Sequence, residues 1–228
     1  MKIVKENKKK KCLILANGNK PSKYWINYFI RTGYNFVICA DGGADNAKQL
    51  GIQPKIIIGD LDSISAQTLK HYENTAQIIK YKRQNDTDLE KSIKFAVKNG
   101  FEEVVLCGAT GNRLDHTFGN LGVVLKFNDK IKIFLHHHKS ILYAIKGSNI
   151  IPTHEGETIS FYGIDNKTKF ISKGLKYPLR NVSLPFGISE STSNVAKTKN
   201  ITIKISGGTG FVIRDLETVK KYDLIFHA

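Results

Sequence analysis

The chain has 228 residues with ordinary apolar, aromatic and charged fractions (41%, 10% and 24%), enough to bury a substantial core as one large or two small domains. No apolar run approaches the roughly 18 residues that a membrane-crossing helix needs, and the basic start, Met1 to Lys11, leads only into Cys12-Leu-Ile-Leu-Ala16, too brief for a signal-peptide core. The net charge of +15 invites a nucleic-acid reading, but the lysines are scattered apart from Lys8 to Lys11; a solvated surface, a basic tail over residues 1–11 and a field that attracts anionic substrates account for them.

In chain order, Cys12 to Ala16 reads as a buried strand turning at Asn17-Gly18, and Tyr24 to Thr32 as a helix stopped by Gly33. Phe36 to Ala40 is the next strand, Ala44 to Leu50 a helix closed by Gly51, and Ile56 to Ile58 a third strand. Ser65 to Glu73 is a polar helix, Gln77 to Tyr81 a strand, and Thr87 to Asn99 an amphipathic helix presenting Leu89, Ile93, Phe95, Ala96 and Val97 before Gly100. Val104 to Cys107, His116 to Asn128 and Ile131 to Leu135 continue the alternation as strand, helix and strand. Such alternation predicts an α/β fold with a mostly parallel, Rossmann-like sheet, helices on both faces, and every strand-to-helix turn at one edge.

After Lys139 the texture changes. Ile141 to Ile145, Glu157 to Tyr162, Lys169 to Ile171, Ile201 to Ile205 and Phe211 to Arg214 are short and β-branched, separated by Gly-, Pro- and Ser-containing turns, with no helix of length. This predicts a C-terminal antiparallel β domain, a sandwich or open barrel. Domains are expected at 12–138 and 139–228, with the joint near 136–142. Cys12, Cys39 and Cys107, odd in number and inside strands, read as reduced core thiols of a cytoplasmic protein.

The chemistry is expected at the turns. Asp41-Gly-Gly follows one strand, Asp60-Leu-Asp62-Ser63 another, and Asp86-Thr-Asp88 opens the strongest helix. Carboxylates gathered at the carboxyl ends of parallel strands repel unless a cation neutralises them. Hard oxygen donors suit Mg²⁺, and Mg²⁺ usually travels with substrate phosphates, so the pattern predicts metal-assisted work on a nucleotide. Helix capping accounts for Ser63, but needs only one of Asp60 and Asp62; Asp86, Thr87 or Asp88 caps the later helix. Gly108-Ala-Thr110-Gly111-Asn-Arg113-Leu-Asp115-His116 joins a glycine turn, a guanidinium and a helix start into a phosphate site, where Asp115 orients Arg113 or caps the helix. It has neither the Lys-Ser/Thr of a P-loop nor a dinucleotide fingerprint. His136-His-His138 alternates faces as a strand and suits a strand end better than a metal site.

Taken in order, Leu15-Ala-Asn17-Gly18, Asp41-Gly-Gly-Ala-Asp45, Gly59-Asp-Leu-Asp-Ser63, Asn85-Asp-Thr-Asp88, Gly108 to His116, Gly174-Leu-Lys-Tyr-Pro-Leu179 and Ser191-Thr-Ser-Asn194 resemble the thiamine pyrophosphokinase family over nearly the whole chain after residue 11. The resemblance implies an α/β catalytic domain that binds ATP and Mg²⁺, a β domain that helps bind thiamine, and a homodimer with the active site between subunits. It implies transfer of the terminal pyrophosphate of ATP to the hydroxyl of thiamine, giving thiamine diphosphate and AMP, with neither nucleic acid nor membrane as partner. Matched position by position, Asp41, Asp60, Asp62 and Asp88 are the expected metal-holding acids, and Asp60, Asp62 and Asp88 the expected catalytic residues. Asn17, Asp41, Gln84, Asp86, Thr110, Arg113, Asp115 and Asn120 are expected contacts of substrate or nucleotide. Ser191, Ser193 and Asn194 fall in the stretch that meets thiamine. Where some members of the family place an aromatic, this chain has Val195-Ala196-Lys197, leaving Tyr177 or Phe186 for the stacking role. Two rivals remain: another Mg²⁺-dependent pyrophosphotransferase or nucleotide hydrolase, and a basic nucleic-acid module, against which the acidic turns argue.

Overall fold

The computed structural model describes residues 9–81, 86–111 and 113–225. The chain divides into two compact units, Met1–Val123 with Asp129–Ile133, and Val124–Asn128 with Phe134–Ala228.

The first unit alternates β1 (Lys11–Leu15), α1 (Lys23–Arg31), β2 (Phe36–Ala40), α2 (Gly43–Leu50), β3 (Ile56–Gly59), α3 (Ala66–Tyr72), β4 (Gln77–Lys80), α4 (Asp88–Lys98), β5 (Glu103–Cys107) and α5 (Leu114–Phe127). The strands pair in parallel in the order β5-β1-β2-β3-β4, with Cys12 opposite both Phe36 and Val104, and Ile56 opposite both Ile38 and Gln77. Because β1 to β4 step one way and β5 returns to the far side of β1, right-handed crossovers put α4 on the face opposite α1 to α3. The order therefore reverses between β1 and β5, where an open α/β sheet leaves a crevice at its carboxyl edge. Leu13, Ile14, Leu15, Ile38, Cys39, Ile57, Val105 and Leu106 are fully buried in the sheet. Burial raises all three thiols well above the usual cysteine range, which keeps them protonated and inert.

At the opposite edge Glu103 is buried, accepts the Tyr34 hydroxyl at 2.9 Å, and meets Lys9 Nζ at 3.0 Å and Lys11 Nζ at 3.6 Å. Lys10 Nζ donates to the carbonyl of Asn99 at 2.8 Å. The end of the expected basic tail is thus part of the fold: a buried carboxylate needs these cations, and Lys11 opens β1.

The second unit is antiparallel. β6 (Lys132–His137), within which the division between units falls, leads to β7 (Ser140–Pro152), β8 (Thr158–Gly163), β9 (Lys169–Lys173), β10 (Arg180–Ser183), β11 (Ser191–Val195), β12 (Asn200–Asp215) and the short α6 (Leu216–Lys221). The neighbours run β10-β9-β12-β7-β6, and β8 joins β12 to β11. β12 pairs with β7 along its length; its first half also pairs β9 (Thr202 to Ser206) and its second half β8 (Gly210 to Arg214). The change of partner falls at a bulge between Ile205 and Gly210, where a Cβ on Gly210 would come within 2.5 Å of the Phe170 ring. The segments Ile201–Ile205 and Phe211–Arg214, expected as two strands, are one.

The expected joint at 136–142 is a tight hairpin, with His136 opposite Ile141, His137 opposite Ser140, and His138 at a φ of 48°. His136 is buried with Nε2 3.0 Å from the carbonyl oxygen of His138, and burial pushes its imidazole down to about 4. The most demanding feature of this unit is Arg214 on β12. Its guanidinium donates Nε and Nη2 to Glu157 at 2.6 and 2.8 Å, and Nη2 also to the carbonyl of Pro152 at 2.8 Å, with both charged side chains fully buried.

Candidate active site

β2 ends at Ala40, and Asp41 turns the chain at a φ of 43° while its N–H donates to the carbonyl of Ile58 at 2.8 Å. Non-glycine residues enter that region at a cost, which surrounding contacts must sustain. Gly59 makes the approach of the neighbouring turn possible: a Cβ there would lie 2.7 Å from Cβ of Asp41. Beyond it, Leu61 takes a φ of 66°, and the Ser63 N–H donates to Asp41 Oδ2 at 3.1 Å, tying the two acidic turns together. The cap of α3 is Ser65, whose Oγ accepts from Thr68 N, and not Ser63, whose Oγ donates to Asp62 Oδ1 at 2.9 Å. The cap of α4 is Thr87, through Glu90 N, so Asp88, at the first helical position, is not spent on capping.

Asp41, Asp60 and Asp88 each place a carboxylate oxygen so that all three lie within 4.8 Å of one another. Asp41 is 3% exposed, and its Oδ1 is buried without a hydrogen-bond partner among the described residues. Burial raises its pKa above the ordinary value; the Ser63 N–H opposes this, and the neighbouring charges of Asp88 and Asp60 add to it. A desolvated carboxylate that keeps an unpartnered oxygen and has two further acids beside it is what a hard divalent cation satisfies, so the donor set fits Mg²⁺. Asp62 lines the same cavity but stands outside the set of three, because the positive φ of Leu61 breaks the extended path that would aim both acids alike.

The cavity, of about 540 Å³, is lined from the ends of β1, β2, β3 and β5 and the start of α4 and α5. The loops after β1 and β5 hold each other at the reversal of strand order: Gly18 N–H donates to Gly108 O at 2.6 Å and Asn19 N–H to Thr110 O at 2.7 Å. Asn17 and Thr110 line the cavity, and Asn120 Nδ2 donates to the carbonyl of Ala109 at 2.6 Å, fixing the loop. Arg113 reaches the cavity rim, bidentate to Asp115 at 2.9 and 2.5 Å, with both groups exposed; the pairing with Arg113 holds the Asp115 carboxyl well below the usual range. Asp115 therefore orients Arg113. Asp86 also lines the cavity but is bonded to Lys94 at 2.7 Å. Gln84 lies outside the described residues.

In the second unit, Ser191, Ser193 and Asn194 lie on β11. Asn194 is 2% exposed, and its amide is consumed by the fold: Oδ1 accepts from the N–H groups of Tyr177 and Val195, and Nδ2 donates to Tyr177 O and Ser191 Oγ. Ser193 takes a φ of 55° and its N–H donates to Ser160 Oγ at 3.0 Å. Tyr177 and Phe186, the two stacking candidates, are exposed at 59% and 65%.

The family model for the thiamin pyrophosphokinase catalytic domain matches residues 30–135, and that for the family's vitamin B1 binding domain matches residues 148–209. Thiamin pyrophosphokinase 1 of Caenorhabditis elegans is 31% identical over 182 residues, covering 75% of this chain and 74% of its own. The chain belongs to the thiamin pyrophosphokinase family. Among solved structures, thiamine pyrophosphokinase from Bacillus subtilis superposes with a TM-score of 0.78 at 25% identity, covering 90% of this chain and 99% of that one. The enzyme from Candida albicans shares the fold at a TM-score of 0.79 and 22% identity, over 91% and 89% of the two chains.

Two features in and beside the cavity escape a linear reading. Asp45, in the first turn of α2, accepts the Ser65 hydroxyl at 2.6 Å and the Ser65 N–H at 3.0 Å, clamping the turn of Asp60 and Asp62 onto that of Asp41. Lys91 lines the cavity from α4 and meets Asp88 Oδ1 at 2.8 Å. The short spacing from Asp41 to Asp45 was a usable signal for the first; an acid and a lysine three apart on a helix look like any surface pair.

The raised pKa of Asp41 sets a direction for the stability of this chain. The folded chain holds that proton to higher pH than the unfolded chain, so the stability it contributes is present at low pH and is lost as pH rises from the ordinary carboxylate value through the raised one. Asp41→Asn in metal-free protein removes that loss. Thermal melts in chelator from pH 4 to pH 8 are expected to show a flatter decline for Asp41→Asn than for the parent; identical slopes would contradict the electrostatic account.

Proposed function

We propose that the cavity at the carboxyl edge of the parallel sheet is the pyrophosphate-transfer centre, with Asp41, Asp60 and Asp88 holding Mg²⁺ and Asp62 at its margin. The single observation that carries this is the convergence of three acids distant in sequence, one of which, Asp41, keeps a buried carboxylate oxygen without a hydrogen-bond partner among the described residues. A bound Mg²⁺ supplies neutralisation of the polyphosphate charge. The chain's own groups do the rest. Thr110 and the glycine loop after β5 receive the phosphates, and Arg113, aimed by Asp115, supplies a planar cation at the rim. Asn17 borders the nucleotide, Asn120 keeps the loop in shape, and Asp88 or Asp60 accepts the proton of the attacking hydroxyl as it adds to the β-phosphorus while AMP departs. Such transfer depends on positioning and charge compensation.

In this reading residues 139–228 form the thiamine-binding domain, where Ser191 and Ser193 contact thiamine and Asn194 holds their strand in place. The exposed Ile150, Phe186 and Ile188 of the second unit, at 73%, 65% and 75%, support a homodimer. Three protonated, buried cysteines suit a cytoplasmic setting, and no helix among the described residues is long and apolar enough to cross a membrane. The acidic turns that line this cavity speak against a nucleic-acid partner.

Incubation with ATP, thiamine and Mg²⁺ is expected to yield AMP and thiamine diphosphate in equal amounts, and excess chelator to stop both. Pyrophosphate or phosphate release without thiamine would favour a different nucleotide-processing enzyme, and turnover that survives chelation would remove the metal from the account.

A further inference from the structure

We propose that Lys91 is a substrate-binding residue: its ammonium neutralises Asp88 in the nucleotide-free cavity and, when ATP enters, moves to oxygens of the transferred pyrophosphoryl group, releasing the Asp88 carboxylate. This rests on the reading above that the cavity takes the nucleotide's phosphates.

The argument begins with burial. Lys91 is 7% exposed, and lysine is almost never so buried unless paired. If neutralising Asp88 were its whole purpose, an exposed lysine would serve with far less desolvation. The same helix shows that arrangement one turn later, where Lys94, with 47% of its side chain exposed, bonds Asp86 at 2.7 Å and Glu90 at 3.0 Å. Among the described residues, Asp88 Oδ1 at 2.8 Å is the acceptor of Lys91 Nζ. An ammonium has three donors, and this one belongs to a residue in the cavity lining. A compact point charge with spare donors suits non-bridging phosphate oxygens.

Charge points the same way. The carboxylates that line the cavity outweigh one divalent ion and leave a net negative site, which repels a polyphosphate; a buried ammonium lowers that repulsion. Arg113 does not fill that place, since its side chain is 70% exposed and paired with Asp115. The Lys91 bond occupies Oδ1 of Asp88, so an arriving phosphate that draws the ammonium away releases that oxygen as well and restores the full charge of the carboxylate.

The test is calorimetric titration of ATP and of AMP, with Mg²⁺ present and thiamine absent, into the parent, Lys91→Met, Lys91→Arg and Asp60→Asn. Lys91→Met is expected to weaken ATP binding about tenfold to a hundredfold, the usual worth of a charge-assisted contact, and AMP binding less than about threefold. Lys91→Arg, which keeps the ion pair and with it the fold, is expected to bind ATP more tightly than Lys91→Met. Equal losses for ATP and AMP, or an ATP affinity unchanged in Lys91→Met, would overturn the proposal in favour of a structural lysine. Should Lys91→Met not fold, an ATP-to-AMP ratio in Lys91→Arg equal to the parent's supports it, and a ratio collapsing to one overturns it. Asp60→Asn separates the two readings. If it leaves Mg²⁺-dependent ATP binding intact, the cavity is not the nucleotide site and both readings fall. If it abolishes that binding while Lys91→Met does not weaken it, the role of Lys91 alone fails.

Discussion

Asp60→Asn is expected to lower turnover at least about a hundredfold, the scale on which preorganised electrostatic contacts act, while the protein stays folded. The substitution keeps the shape and the oxygen that accepts the Asp62 N–H at 3.4 Å, so the turn has no reason to rearrange. It removes one of three charges that meet within 4.8 Å and thereby one hard ligand. Two measurements check it together: steady-state formation of thiamine diphosphate, and the rise in melting temperature that Mg²⁺ and ATP give the parent. The parent is expected to gain stability from the pair and Asp60→Asn to gain little. Near-parental turnover in Asp60→Asn would take this acid out of the site.

Arg214→Met carries the largest expected effect on stability, about 3–5 kcal/mol, because it leaves Glu157 as a buried charge without its partner. Glu157 accepts two bonds from Arg214 and one from the N–H of His154 at 3.2 Å, so the loss reaches the turn after β7 as well. Urea unfolding should show the midpoint falling sharply. The double substitution Arg214→Met with Glu157→Leu should recover most of the loss, since apolar groups of similar volume need no counter-charge. If the single substitution costs less than about 1 kcal/mol, the pair is not the constraint that its burial indicates.

Much of the first unit is legible because its signals are local. An apolar run followed at once by Asp-Gly-Gly or Asp-Leu-Asp says both strand and turn, and right-handed crossovers bring such turns to one edge. What the chain hides there depends on competition between neighbours. Ser63 and Ser65 both look like caps on paper; the Ser63 hydroxyl is turned to Asp62, and it is the Ser65 Oγ that accepts from Thr68 N. Thr87 likewise wins the cap of α4 over two acids. Lys91 lies off the apolar stripe of Leu89, Ile93 and Ala96, and is buried only because the start of α4 projects into a cavity that other elements build. In the second unit, β10 and β11, Arg180-Asn-Val-Ser183 and Ser191-Thr-Ser-Asn-Val195, are absent from the expected strands because their sequences are polar. They become strands through pairing with β9 and β8, a contribution no local pattern contains. The glycine run at 207–210 was read as a turn and is a bulge, since glycine permits either and only Phe170, distant in the chain, decides.

The length of β12 carries a consequence for how the second unit comes apart. One uninterrupted stretch of sixteen residues belongs to two sets of neighbours, β9 before the bulge and β8 after it. Neither set can peel away without unzipping the strand that the other relies on. The unit should therefore lack a half-open intermediate and melt as a single cooperative block, its slowest-exchanging amides clustered along that shared strand.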